Sequence, residues 1–472
     1  QIESTKSIIK SLQSPYPSGV LISAGTGSGK TLGFYIGALC KIATNIVDQS
    51  SNHSWTQCLA IYPRIELLKD QFAEIYKEAR KLDQFLTNKS CRKIIIAPLF
   101  GDIPTSSYSF KSKDYSPPWR QKSDGYLCPF LKCPKQGCGG DLLWTKGDIN
   151  LDIEKLTCQK CNNTIDNTQV IFTRQTMRKT PPDILFTTTE MLNQNLSEAR
   201  FRKLFGIVKT RFKPQMILLD EVHTYNSAHG AQVAFLIRRL RELIKSKITF
   251  VGLSATLMDG ARFFSRLINN EEHWINLITP KTIDLEMKGA EYLVALKGDP
   301  VSKSALLSTT IQTNILLSRM IDNQHNSSSK GFYGQKVFAF TDDMDVTNRL
   351  YHSILDSEGR NDFGQEVAGK NNLASLRRPD HGVSRNKAGQ NWLIPERIQG
   401  NLKNKKRISR VSSQDPGLDK DVDVVVATSS LEVGVDDPNV GAVIQHKSPR
   451  NMASFLQRKG RGGRSKYMRP WT

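Results

Sequence analysis

Val20-Leu21-Ile22-Ser23-Ala24-Gly25-Thr26-Gly27-Ser28-Gly29-Lys30-Thr31 is the stretch on which the reading of this chain turns. A short apolar run makes a strand, a glycine-rich turn follows, and residues 32–43 carry apolar side chains at helical spacing. Glycines in such a turn let successive backbone N–H groups point inward, at the positive end of the helix that follows. That arrangement holds phosphate oxygens. Lys30 is placed to reach the outer phosphates, and the Thr31 hydroxyl to ligate magnesium. A strand before and a helix after set this turn apart from a chance run of glycines.

Moving outward, residues 58–62, 94–97, 183–186, 216–219 and 248–251 are further short apolar runs, and 67–82 repeats the helical spacing. Apolar strands alternating with helices imply a parallel sheet covered on both faces, so the fold class is α/β. After Ile278 the pattern restarts with residues 292–296, 337–340 and 422–427. The expected division is therefore a first domain over 1–280 and a second over 281–472. At roughly 100–200 residues per domain, a chain of 472 residues suits two or three. A polar stretch with Pro, Gly and Cys interrupts the first domain over 105–178. A polar, basic stretch occupies 361–420 of the second, and length without periodicity marks a functional or mobile loop.

Asp220-Glu221-Val222-His223 directly follows the apolar run 216–219. Carboxylates at the carboxyl end of a parallel strand stand beside the phosphate-binding turn in this kind of sheet. Asp220 can hold magnesium, and Glu221 can orient or deprotonate an attacking water. His223 is placed to sense the outermost phosphate and pass that information to the second domain.

Three further segments fall in a meaningful order: Ser254-Ala255-Thr256, then Ala427-Thr428-Ser429-Ser430-Leu431-Glu432-Val433-Gly434-Val435-Asp436, then Gln457-Arg458-Lys459-Gly460-Arg461-Gly462-Gly463-Arg464. With the phosphate-binding turn and Asp-Glu-Val-His, this set resembles the superfamily 2 DEAD/DEAH-box helicases. Finer features are similar to the Lhr and MrfA groups of DNA helicases. They are Tyr62-Pro63-Arg64 with Asp70-Gln71, Pro182-Asp183-Ile184-Leu185 with Met191-Leu192, and His223-Thr224-Tyr225 followed by an arginine-rich helix to Arg241. The resemblance implies two RecA-like P-loop NTPase domains in tandem, using ATP and Mg2+. It implies that Gly25, Thr26, Gly27, Ser28, Gly29, Lys30 and Thr31 bind the nucleotide, with Gln1 reading adenine. Ser254 and Thr256 would couple ATP state to domain closure, and Gly434 and Asp436 would face the nucleotide from the second domain. Gln457, Arg461 and Arg464 would complete the site, the arginines acting on the γ-phosphate. Within the C-terminal run, Arg458, Lys459 and Lys466 read as a solvated basic surface. Pro63, Arg64, Thr187 and Thr428 are candidate grips on a nucleic-acid strand, against an ordinary strand-end role for Thr187. Val222 replaces the usual Ala of the acidic motif.

Lys and Arg total 66 against 45 acidic residues, a net charge of +21, which favours a polyanion partner over mere surface solubility. No apolar run approaches the about 20 residues that span a bilayer, so no membrane partner is expected. Cys40, Cys58 and Cys91 read as buried thiols. Cys133, Cys138, Cys158 and Cys161 have the spacing of two zinc knuckles and would hold structural Zn2+. Cys128 is a fifth candidate that could take the place of Cys133. Zinc-type cysteines suit a reducing, cytoplasmic compartment. In the insert, Trp144, Lys146 and Lys155 either touch nucleic acid or, for Trp144, form the module's core. Arg377, Arg378, Arg385, Lys387, Arg397, residues 403–407 and Trp392 make the basic loop either a nucleic-acid clamp or a solvated segment.

The chain begins at Gln1 and stops shortly after its last motif, and it reads as the motor portion of a longer protein. The expected function is an ATP-dependent helicase or translocase on DNA, serving repair or defence against foreign DNA with protein partners. The alternatives are an RNA helicase, and an ATP-gated clamp that recruits a nuclease or other partner without unwinding.

Overall fold

The computed structural model describes residues 1–24, 30–49, 53–111, 119–208, 210–254, 257, 259–280, 290–297, 305–322, 329–377, 392–398, 401–411, 421–428, 431, 437–449, 452–465 and 467–472, without the side chains of 30, 31, 305, 396, 397 and 453. The chain divides into two compact units, Gln1–Lys281 and Thr282–Thr472. The strands among the described residues run in chain order: β1 Gly19–Ser23, β2 Cys58–Tyr62, β3 Ile96–Leu99, β4 Gln121–Lys122, β5 Gly125–Lys132, β6 Asp141–Thr145, β7 Lys155–Cys158 and β8 Thr164–Asp166. They continue with β9 Ile184–Thr188, β10 Met216–Leu219, β11 Thr249–Ser254, β12 Ile275–Ile278, β13 Lys336–Phe340, β14 Ile408–Val411, β15 Val424–Ala427 and β16 Val440–Gln445.

The first unit is built on a seven-stranded sheet in the order β12-β1-β11-β10-β2-β9-β3. Every pairing in it is parallel. Each of β1, β2, β3, β9, β10 and β11 is buried along its whole length, because helices cover both faces. The helix Ile2–Gln13 lies on the helix Lys30–Gln49 at short range. A Cβ at Gly37 would stand 2.6 Å from Ile8 Cγ2, so the approach of these two backbones depends on glycine.

At the amino edge of this sheet, Asp183 is fully buried and four hydrogen bonds hold it. Arg92 donates Nη1 to Oδ2 at 2.6 Å and Nη2 to Oδ1 at 2.7 Å. Gln57 Nε2 donates to Oδ1 and the Ile95 N–H to Oδ2, both at 2.9 Å. Gln57 in turn accepts from Asn45 Nδ2 at 2.7 Å, which also reaches Gln215 Oε1 at 3.1 Å. The residues that precede β2, β3, β9 and β10 are thereby tied into one polar knot.

The insert folds as its own antiparallel sheet, β4-β5-β6-β7-β8. Trp144 is fully buried, and its indole N–H donates to the Ile153 carbonyl at 2.8 Å. It is therefore the core of the module, and its surface role is ruled out. Phe110, Trp119 and Phe172 pack around it. Phe130 of β5 meets Phe72 of the helix Ile65–Arg80 edge-on at 5.4 Å, which fastens the module to the parent domain. Buried Glu154 accepts from the Phe172 and Thr173 N–H groups at 2.8 and 3.2 Å and from the Thr173 hydroxyl at 2.6 Å. Burial raises its carboxyl pKa, while the Thr173 and Thr176 hydroxyls and the two backbone donors pull it back.

The second unit carries a four-stranded parallel sheet, β14-β15-β13-β16. The expected strand over 292–296 is absent as such: only Tyr292 forms a bridge, to Trp471, while Leu293, Val294 and Leu296 are exposed. Its apolar run lies extended along the chain's last residues, where Val294 donates to the Thr472 carbonyl at 2.8 Å. Described parts of the basic stretch are anchored. Arg319 and Glu358, both buried, form a bidentate pair at 2.8 and 2.7 Å, and Glu358 also accepts from the Lys406 N–H at 2.9 Å. Arg319 donates to the Asn404 carbonyl at 2.8 Å, so residues 404–406 are fixed to the sheet's helices. The Arg377 guanidinium lies over the Trp392 ring at 5.8 Å, an internal contact for two residues of the expected clamp. Arg378, Arg385 and Lys387 lie outside the described residues. Cys40 is exposed and Cys91 half-exposed, since each falls on the outer side of its segment; only Cys58 of the three is buried.

Asp183→Ala leaves the Arg92 guanidinium and the Ile95 N–H buried without their acceptor. Breaking such a pair costs about 3–5 kcal/mol. A urea titration followed by intrinsic fluorescence should show the first unit unfolding at markedly lower denaturant, and an unchanged midpoint would refute this role for the knot.

Candidate active site and four-cysteine centre

The parallel strands of the first unit deliver chemistry to one edge. Ser23 pairs with Ser254 across β1 and β11, and the Ala24 N–H donates to the Ser254 carbonyl at 3.1 Å. The exit of β1 is thus clamped one residue before the turn. Gly25, Thr26, Gly27, Ser28, Gly29 and Thr256 lie outside the described residues, as do the side chains of Lys30 and Thr31. The helix Lys30–Gln49 begins where the turn ends. A Cβ at Gly33 would stand 3.2 Å from Gln1 Cα, so Gln1 is brought against the first turn of that helix despite its sequence distance.

Two strands away, buried Asp220 continues β10, its N–H donating to the Ile61 carbonyl at 3.1 Å. Asp220 Oδ1 accepts from the Glu221 N–H at 2.8 Å, which fixes the carboxylate against its own backbone. Glu221 is left-handed, with φ 47° and ψ 47°. A side-chain-bearing residue enters that region at a cost, and here it turns the chain sharply out of the strand. His223 Nδ1 lies 3.3 Å from Ser254 Oγ and 3.4 Å from Glu221 Oε2. The acidic motif and the serine of β11 therefore meet at one imidazole. Ser254 is fully buried, so this contact is shielded from water.

Beneath Asp220 the sequence reading missed a tyrosine pair. Tyr35, on the helix after the turn, shares a short hydroxyl–hydroxyl hydrogen bond with Tyr62 of β2. Both rings stack on Phe186, at 5.9 and 6.1 Å. Burial above all raises both phenols well past their ordinary range, and the charge of Asp220 is among the smaller contributions in the same direction. The signal was present in Tyr35 falling on the inner face of an amphipathic helix, but its partner is 27 residues away.

The proposed strand contacts differ among themselves. Pro63 and Arg64 are half-buried just past β2, and Arg64 caps the helix Ile65–Arg80 in an extended conformation. Thr187 is fully buried and its hydroxyl donates to the Leu99 carbonyl at 3.1 Å. Its hydroxyl pins β9 to β3, and gripping a strand would require giving that bond up. The neighbouring Thr188 caps the helix Thr189–Leu196.

In the second unit, Gln457 lies buried on the helix Met452–Lys459, and Arg461 is buried just after it. Arg464 is half-buried, its Nε donating to the Gly460 carbonyl at 3.1 Å. Arg458 is not a solvated residue of a basic tail: it is buried, paired with Asp342 and stacked over the Phe340 ring at 5.6 Å. Lys459 is ion-paired with Glu291. Thr428 is half-buried at the end of β15; Gly434, Asp436 and Lys466 lie outside the described residues.

The four cysteines converge. Cys133 and Cys161 sulfurs are 3.6 Å apart, as are those of Cys138 and Cys158, and all four lie within 4.8 Å of one another. Four thiolates around one zinc at about 2.3 Å stand about 3.8 Å apart, so the donor set and its spacing fit that ion. The Lys160 N–H points at Cys158 Sγ from 3.4 Å. A Cβ at Gly140 would stand 3.0 Å from the same sulfur, so glycine is what lets the first knuckle close on the second. Cys128 is elsewhere, buried in β5, where loss of hydration pushes its thiol up to about 12. Cys133 is thus the member of the set.

Residues 3–96 and 148–263 match the DEAD/DEAH box helicase family, and residues 389–466 match the helicase conserved C-terminal domain. The chain belongs to the DEAD/DEAH-box helicases. The break in the first match takes in β4, β5 and β6 of the cysteine module. Over 296 residues the chain is 28% identical to the Lhr helicase/probable uracil glycosylase of Mycolicibacterium smegmatis, covering 61% of this chain and 18% of that protein. Its fold matches that of Mycobacterium smegmatis Lhr bound to ssDNA and AMP-PNP, with a TM-score of 0.52 and 18% identity over 99% of this chain and 45% of that one. It also matches the DUF1998 helicase MrfA bound to DNA, with a TM-score of 0.51 and 16% identity over 99% of this chain and 48% of that one. At these identities the likeness to the solved structures is one of fold. The chain spans less than half the length of each of these proteins.

Cys133→Ser should cost the purified protein its zinc, while Cys128→Ser keeps it. Metal analysis by mass spectrometry after dialysis checks this, and the reverse pattern would transfer the ligand role to Cys128.

Proposed function

We propose that this chain is an ATP-driven motor that moves along DNA, with a zinc-braced module built into its first domain. The observation that carries the reading is the meeting of Glu221, His223 and Ser254 at the carboxyl edge of the parallel sheet, beside the exit of β1. That edge is where doubly wound sheets bind their ligands. Lys30, Thr31 and Asp220 are the residues that would hold ATP phosphates and Mg2+. The bound magnesium supplies charge stabilisation for phosphoryl transfer. Glu221 orients and deprotonates the attacking water, and His223 relays the outcome to Ser254. Gln457, Arg461 and Arg464, with Gly434 and Asp436, are the second unit's proposed contribution to ATP turnover.

DNA is favoured over RNA by the sequence relative, while the matching folds include helicases bound to RNA as well as to DNA. The Lhr relative's name pairs a helicase with a probable uracil glycosylase, and the two structures described above are titled as bound to ssDNA and to DNA. Pro63, Arg64 and Thr428 are proposed to meet the backbone of the strand, through contacts that position without reading sequence. The net charge of +21 supports such a polyanion partner. The cysteine module fits bracing of the first domain, since its aromatic core and Glu154 fasten it from within. Work in DNA repair or defence is the pathway reading that accompanies this substrate.

ATP hydrolysis by the purified chain should rise strongly with single-stranded DNA and much less with RNA. Glu221→Gln should lower the stimulated rate by about 10²–10⁴-fold, the usual weight of a general base. Equal stimulation by RNA would move the substrate to RNA, and stimulated hydrolysis without strand displacement would favour the ATP-gated clamp.

A further inference from the structure

The helix Ser227–Ile244 leaves the active site at its amino end and buries Val233, Leu236, Ile237, Leu240 and Ile244 against the sheet. Its opposite face should be polar throughout. Instead Phe235 is 62% exposed and Leu243 43% exposed, two turns apart on one stripe. They form one wall of a groove of about 550 Å³, and Leu196 and Ile207 lie across from them. Arg239 frames the groove, donating to Asn193 Oδ1 at 3.3 Å and Ser197 Oγ at 3.2 Å. Arg238 stacks over the Phe235 ring at 5.6 Å. Among the described residues, exposed Arg202 and Arg238 have no carboxylate partner, and Glu242 is the groove's sole acidic group.

We propose that this groove docks an acidic amphipathic protein segment, which places aliphatic side chains between Phe235 and Leu243 and carboxylates on Arg202 and Arg238. Leu196, Ile207 and Leu243 give the groove its aliphatic lining, which suits a branched side chain. A nucleic-acid strand would need a run of open aromatic faces, and the groove offers the single ring of Phe235. The groove also stands apart from the motor chemistry. Phe235 to Leu243 occupy the half of the helix that runs toward the amino end of β11, while Asp220, Glu221 and Ser254 lie at the carboxyl edge. An exposed aromatic between arginines is the composition from which interface hot spots are built.

The test uses the whole chain and three fluorescent probes. One is a helical peptide with leucines on one face and glutamates on its flanks, the second is its twin with lysine for glutamate, and the third is single-stranded DNA. Anisotropy should show saturable binding of the glutamate peptide that weakens with salt, and no such binding of the lysine twin. Phe235→Ser and the double variant Arg202→Glu/Arg238→Glu should each weaken it by about tenfold or more. DNA-stimulated ATP hydrolysis and the thermal melt of these variants should stay as in the parent. Indifference to the charge of the peptide, or absence of binding by both, overturns the proposal. Displacement of the peptide by DNA overturns it as well, and assigns the groove to the nucleic-acid path.

Discussion

Parallel strands leave all their functional ends on one edge, and nothing on that edge can be placed better than the strands are registered. In the first unit the register is set from the far side. Asp183 is a buried charge with Arg92, Gln57 and the Ile95 N–H around it. A buried ion pair contributes little net stability over an apolar replacement, but it tolerates no slippage, because a displaced strand leaves a charge unmatched. One residue of shift would also exchange every side chain between the two helix-covered faces. The knot therefore transmits order through β2 and β9 to Tyr62, Pro63 and Thr187, and through β10 to Asp220. The pinning of Thr187 to Leu99 belongs to the same scheme, closing the β9–β3 pair at the other end.

The inserted module obeys that constraint too. Its sheet is antiparallel and stands outside the parallel sheet, joined to the parent domain by aromatic contacts and by Glu154. Glu154 binds the Phe172–Thr173 backbone at the point where the chain returns to the parent fold. The return reaches the partners of β3, since the Ile171 N–H donates to the Ile96 carbonyl at 3.1 Å. An insert held this way adds surface without loosening the strand it interrupts. The four-cysteine cluster sits at the far end of β5 and β7, where two knuckles would otherwise have only short turns to hold them.

Much of this was legible in the sequence because the strands of the first unit end in chemistry. Apolar runs followed by Gly-rich, Asp-Glu or Ser-Ala-Thr segments leave few alternatives for β1, β10 and β11, and continuous apolar runs mark β2 and β9. The edge strand β3 carries that mark too, as the apolar run 94–97, but the edge strands β12 and β14 do not. In β12 the middle residues Asn276 and Leu277 are exposed, and β14 reads Ile-Ser-Arg-Val, so neither carries the continuous apolar pattern of a buried strand. Residues 292–296 show the converse: an apolar run that lies on the surface. Spacing could not choose between Cys128 and Cys133, because the choice depends on a turn that points one sulfur at Cys161 and buries the other in β5.

Arg458 shows how far a local reading can miss. Within Gln457-Arg458-Lys459-Gly460-Arg461 it looks like one more solvated cation, yet its partner Asp342 lies 116 residues earlier, just beyond β13. Such a pair fixes the helix Met452–Lys459 at the carboxyl end of β13, and so holds Gln457 and Arg461 on that edge as well. The edge is the counterpart of the one that bears Asp220 and Glu221 in the first unit. Arg458 is thus a positioning residue for neighbours whose motif it shares, with its own charge already committed to Asp342. Only tertiary contact separates the arginine that holds from Arg461 and Arg464, the arginines proposed to act on the nucleotide, and the motif's spacing alone cannot make that separation for Arg458.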